Sequence, residues 1–106
     1  MRIDFKFRHT PLSDELTSYV SERTSKLEKF EMKPVRLEIT FTTEKAVRRV
    51  DIHARGEDIE MHAHCEAEDF FTAVDISLEK MARQLARKKA KVQKHKAPGR
   101  GEPKVS

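Results

Sequence analysis

The sequence predicts an α+β fold, a β-α-β-β-β-α sandwich in which a four-stranded sheet carries two helices on one face. Three observations lead to it. Four short segments alternate apolar and polar residues with period two, two longer segments carry apolar residues at helical spacing, and each strand has a single apolar face that one layer of helices can cover. At 106 residues the chain fits one such domain.

The first strand is residues 2–8, where Ile3, Phe5 and Phe7 alternate with Arg2, Asp4, Lys6 and Arg8. The turn His9-Thr10-Pro11-Leu12 leads to Ser13, a good N-cap, followed by Asp14 and Glu15, whose charge suits the positive end of a helix dipole. The first helix is expected over 14–30, with Leu16, Val20, Thr24 and Leu27 along one face and Tyr19 and Phe30 at its edge. After Pro34, Val35, Leu37, Ile39 and Phe41 mark a second strand, and Val50, Ile52 and Ala54 the inward face of a third over 46–54. The turn Arg55-Gly56-Glu57-Asp58 then hands over to a fourth, in which Ile59, Met61, Ala63 and Cys65 alternate with Glu60, His62, His64 and Glu66. Short turns make strands two to four an antiparallel meander. A crossover through the first helix makes strands one and two parallel neighbours. The second helix starts near Glu68 or Asp69 and runs to about His95, since no Gly or Pro intervenes before Pro98. Residues 1–95 thus form the domain, and 96–106, punctuated by Pro98, Gly99, Gly101 and Pro103, are expected to be a disordered basic tail.

Composition narrows the function classes. Hydrophobic residues at 37% can build a modest core, and 38% charged residues with only 3 Gly and 4 Pro describe a compact, highly charged protein. Cys65 is the only cysteine, so an internal disulfide, a zinc ribbon and a CxxC redox site are excluded, and a reducing cytoplasm is the expected compartment. No window approaches the run of about 20 apolar residues that a membrane span needs, and the N-terminus lacks an apolar signal core; neither export nor membrane insertion is expected. There is no Gly-rich phosphate loop and no GxSxG elbow, so no enzyme and no cofactor is expected.

The distribution of charge is more informative than its total. From Lys80 onward the chain holds ten basic residues and one acid, Glu102, whereas the whole chain is only +4; residues 1–79 are therefore net acidic. On a wheel at about 100° per residue, Phe71, Val74, Leu78, Met81, Leu85 and Val92 share one arc, and Lys80, Arg83, Arg87, Lys91 and Lys94 gather nearly opposite. Spacings of three and four residues make these cations a row in which like charges repel by a few tenths of a kcal/mol per pair. Solvated helix faces usually mix Glu with Lys, and this one does not. Phosphate neutralisation with counterion release rewards such a stripe, so the partner it implies is a nucleic acid. Arg23, Lys26 and Lys29 form a second row on helix one, interspersed with Glu22 and Glu28. Should the helices lie side by side, the two rows would flank a shared groove.

Ser25-Lys26-Leu27-Glu28-Lys29-Phe30, Ala67-Glu68-Asp69-Phe70-Phe71-Thr72-Ala73-Val74-Asp75 and Leu78-Glu79-Lys80-Met81-Ala82-Arg83-Gln84-Leu85 together resemble the ribosome hibernation promoting factor and ribosome-associated inhibitor A family, in its short form without a C-terminal dimerisation domain. The resemblance covers about residues 1–95. It implies a fold similar to a double-stranded RNA-binding domain, and a protein, monomeric when free, that occupies the small ribosomal subunit and competes with transfer RNA and messenger RNA. By that resemblance Arg23, Lys26, Lys29, Lys80, Arg83, Arg87 and Lys88 match basic positions used against ribosomal RNA, while Lys91 and Lys94 extend the row on physical grounds alone. The chain departs from the family pattern at Phe71, where tyrosine is usual, and at Arg48-Arg49 in strand three, which read as an extra RNA contact or an edge-strand guard.

One rival reading stays open from the sequence: a protein-interaction or metal-binding α+β domain whose basic helix serves solubility. Its metal version places His53, His62 and His64 beside Glu60 and Glu66 on the outward sheet face, with Cys65 turned inward. Salt separates the readings, since only phosphate binding weakens steeply as salt rises.

Overall fold

The computed structural model describes residues 2–25, 36–57 and 59–96, with side chains as far as Lys88. In chain order the elements are β1 (Arg2–Arg8), α1 (Asp14–Thr24), β2 (Arg36–Glu44), β3 (Val47–Arg55), β4 (Glu60–Ala67) and α2 (Phe70–Lys96). They form one mixed sheet in the order β1-β2-β3-β4. β1 runs parallel to β2, with Phe5 beside Ile39. The other two pairings are antiparallel and set Ile39 beside Ile52 and Ile52 beside Ala63.

Alternation decides which face is covered. Leu37, Ile39, Phe41, Val50, Ile52, Ala54 and Ala63 are buried, together with Leu16 and Val20 of α1 and Ala73, Val74, Leu78, Met81 and Leu85 of α2. These residues are a single cluster, so both helices pack on the same sheet face, as the one-sided strands require. Phe41 is fully buried at its centre, stacked on Phe7 at 4.8 Å between ring centroids and met edge-on by Phe70 at 5.3 Å.

Both described helix starts are capped by side chains. Ser13 Oγ accepts from the Leu16 amide at 3.2 Å. At α2, Asp69 accepts from the Thr72 amide at 2.8 Å and from its hydroxyl at 3.0 Å, and the amide bond in particular holds the Asp69 carboxyl below its usual pKa. The continuation of helix one expected over 26–30, with Leu27 and Phe30, lies outside the described residues, as does the tail expected over 96–106 except for Lys96, which belongs to α2.

One turn and the setting of one strand differ from expectation. β2 runs on to Glu44 and meets β3 through the two-residue turn Lys45-Ala46, with Lys45 at φ 55°. A hairpin of that length normally announces itself by Gly or Asn at such a position, and a lysine carries no such signal. β3 is an interior strand, so Arg48 and Arg49 do not guard an edge. The Arg48 guanidinium lies 6.0 Å from the Phe70 ring centroid, whereas Arg49 points to the open face and grips Asp51 with two bonds, at 2.9 and 3.0 Å, and Glu66 at 3.2 Å. Those bonds raise the Arg49 pKa. Its charge is spent within the sheet.

Candidate nucleic-acid interface

α2 is the organising element of the site, because its circumference divides into arcs with different neighbours. The inward arc is Ala73, Val74, Ser77, Leu78, Met81 and Leu85, all buried. The flank toward α1 carries Phe71 and Asp75. The Tyr19 hydroxyl donates to the Asp75 carboxylate, 2.8 and 2.9 Å from its two oxygens, and the Tyr19 ring meets Phe71 edge-on at 4.9 Å. Burial, then the bond to Asp75, pushes the Tyr19 pKa above its ordinary value, so the hydroxyl keeps its proton at neutral pH.

The opposite flank faces the edge of the sheet. Lys80 Nζ donates to the His64 carbonyl at 3.0 Å, and Gln84 Nε2 to the His62 carbonyl at 3.2 Å. In an antiparallel ladder the backbone groups of alternate residues on an edge strand have no strand to pair with, and these two side chains occupy two such carbonyls of β4.

Between the flanks lies the outer arc, with Arg83 and Arg87 exposed. Among the described residues no carboxylate pairs with either. Lys80 is exposed as well, but its ammonium is anchored to the strand through a neutral carbonyl that leaves its charge intact. Lys88 follows Arg87 by one residue, is turned about 100° from it around the axis, and is half-buried. The backbone of α2 continues through Lys91 and Lys94, so helical periodicity prolongs the row; their side chains lie outside the description.

On α1, Arg23 is exposed, with its Nε 3.7 Å from Asp75 and its guanidinium 4.7 Å from the centroid of the Tyr19 ring. Lys26 and Lys29 lie outside the described residues. The shared groove expected between two basic rows is not what the described part forms. Asp75 and Lys80, five residues apart on α2, are about 140° apart around the helix, so Arg23 and Lys80 stand on opposite sides of it. An acid fills the place where the second wall would meet the first.

Nothing in the spacing of residues marks Asp75 as the partner of Tyr19. A signal was nonetheless present, since Tyr19 and Arg23 stand four residues apart, the spacing at which side chains on one helix face meet.

The histidines of the open face do not make a metal centre. His53 and His62 are cross-strand neighbours with ring centroids 5.3 Å apart, and His53 Nε2 is 3.0 Å from a Glu60 oxygen, while His64 pairs in register with Asp51. Among the described residues no group of three or more His, Cys, Asp or Glu side chains could hold an ion. Nor is any described helix long and apolar enough to cross a membrane.

Comparison with known proteins agrees with this architecture. Residues 3–93 match the family model described as Sigma 54 modulation protein / S30EA ribosomal protein. Proteins named ribosome hibernation promoting factor from Klebsiella oxytoca, at 27% identity over 90% of this chain and 100% of their own length, and from Azotobacter vinelandii, at 28% over 86% and 85%, are similar throughout the domain. Among solved structures, the Thermus thermophilus Protein Y N-terminal domain has a TM-score of 0.76 at 16% identity, covering 82% of this chain and 98% of its own. A ribosomal subunit interface protein from Coxiella burnetii has a TM-score of 0.72 at 23% identity, covering 85% and 99%. These two likenesses concern the fold.

Proposed function

Because the chain belongs to the Sigma 54 modulation protein / S30EA ribosomal protein family, we propose that it is a ribosome hibernation factor that binds small-subunit ribosomal RNA through its basic helices and blocks the messenger and transfer RNA sites. The observation that carries this reading is the outer arc of α2, where Arg83 and Arg87 stand exposed and, among the described residues, pair with no carboxylate. The names of the relatives supply the ribosome, and the arc supplies a means of holding RNA.

The physics is that of a polyelectrolyte contact. Each cation brought against a phosphate releases condensed counterions, so affinity falls steeply with salt. A helix of 27 residues, about 40 Å long, presents these charges on a rigid support and loses little freedom on binding. Phosphate contacts position a protein without reading sequence, which suits recognition of a fixed ribosomal RNA surface by shape. Inhibition then needs occupancy alone: the chain acts as a binding protein and not as an enzyme, in the cytoplasm, as a monomer when free.

Co-sedimentation with purified small ribosomal subunits, with and without bound transfer RNA, tests the proposal. Binding that weakens as salt rises, and that transfer RNA displaces, is the expected result. Simultaneous binding of both would overturn the occupancy mechanism. Binding indifferent to salt would overturn the RNA contact in favour of a protein partner.

A further inference from the structure

The contacts between α1 and α2 form a small constellation around Tyr19. Its ring face carries the Arg23 guanidinium at 4.7 Å. Its edge contact is the Phe71 ring, at 4.9 Å and an interplanar angle of 90°. Its hydroxyl reaches both oxygens of Asp75, at 2.8 and 2.9 Å. Two groups from α2 thus fix one aromatic ring, and the ring in turn fixes a cation from α1.

Only one side of that cation is engaged. Arg23 turns its Nε toward Asp75 at 3.7 Å, beyond hydrogen-bonding distance. The side chain is 43% exposed. A free arginine on a helix surface samples many rotamers and must give them up on binding; one stacked on a fixed ring has given up part of them already. Its planar fork is then presented outward, where two parallel bonds to a phosphate can form.

We infer that Tyr19, anchored by Asp75 and Phe71, is a positioning residue that presents Arg23 as a separate phosphate contact on the α1 side of α2. This rests on the RNA-binding reading and sharpens it. It assigns one contact to the α1 side of the Asp75 flank, apart from the Arg83 and Arg87 arc, so the RNA surface must meet the protein on both sides of that flank. It also gives the tyrosine hydroxyl that Phe71 lacks a source in the neighbouring helix.

Salt-dependent affinity for purified small ribosomal subunits separates positioning from mere structure. Arg23→Ala is expected to weaken binding about fivefold to tenfold and to lower the salt slope by about one. Tyr19→Leu should reproduce both changes, the double variant should be no worse than Arg23→Ala, and Tyr19→Phe, which keeps the ring, should stay within about twofold of wild type. Arg23→Lys leaves the fold and the charge in place but cannot stack as a plane, and most of the Arg23→Ala loss is expected from it. Wild-type affinity in Arg23→Lys, or additive losses in the double variant, would overturn the inference while leaving the wider reading intact. If instead Arg83→Gln/Arg87→Gln binds as wild type does, the RNA reading fails, and the role of Tyr19 with it.

Discussion

On the open face of the sheet, Arg2, Arg36, Arg49 and Arg55 each have a carboxylate partner, at distances between 2.9 and 3.9 Å. On the outer arc of α2, Arg83 and Arg87 have none among the described residues. Both surfaces are built from the same side chains, yet they differ in what a phosphate would encounter. A paired charge presents a short dipole whose field dies quickly, whereas an unpaired one reaches about a Debye length, roughly 10 Å at 0.1 M salt. At these four arginines the sheet face is paired, and at Arg83 and Arg87 the helix arc is not.

The largest effect expected from this contrast is on binding. Replacing Arg83 and Arg87 together with Gln should weaken the affinity for small subunits by about tenfold to a hundredfold and lower the salt slope by about two. The same double replacement at Arg36 and Arg55 should stay within about twofold. Titrations at two salt concentrations measure both, and equal losses from the two faces would remove the distinction.

Stability should respond in the reverse sense. Arg49→Ala strips Asp51 and Glu66 of their shared partner and leaves two carboxylates as diagonal neighbours on β3 and β4. A loss of about 1 kcal/mol is expected, seen as a fall in Tm of about 4–8 °C, with ribosome binding nearly unchanged. A thermal melt beside a binding assay on this variant checks whether Arg49 serves the sheet or the ligand.

The strands and helices were legible because the sheet is covered on one side only: alternation in β1 to β4 records directly which residues face the helices. Asp69 and Ser13 were legible as helix starts for the same local reason, that a cap acts within three residues. What was not legible depended on register and on contacts between elements distant in sequence. The bond from Arg49 to Glu66 follows from the register of β3 with β4, which alternation alone does not set. The bond from Tyr19 to Asp75 joins residues 56 apart in the chain, and no spacing rule reaches that far. The arc of Arg83 and Arg87 could be read because an α-helix fixes its own geometry, whereas the surroundings of Arg23 depend on how two helices pack.

Lys80 stands on the boundary between the two classes of cation and gives the finest test. Its position in the row groups it with Arg83, but its ammonium is held by the His64 carbonyl. A carbonyl satisfies one donor without cancelling the charge, so Lys80 still adds to the potential of the arc. Its two remaining donors can reach a phosphate only from a position tethered to the β4 edge. Its contribution should therefore be smaller than that of Arg83: Lys80→Gln is expected to cost about twofold to threefold in affinity, less than Arg83→Gln alone. Its effect on the edge should be separable. Lys80→Ala together with Gln84→Ala removes both donors to β4, and amide exchange at Ala63 and Cys65, whose amides face β3, should quicken while exchange between β2 and β3 stays protected. If Lys80→Gln costs as much as Arg83→Gln and exchange at the edge does not change, Lys80 belongs wholly to the binding arc and the edge of β4 is guarded by something else.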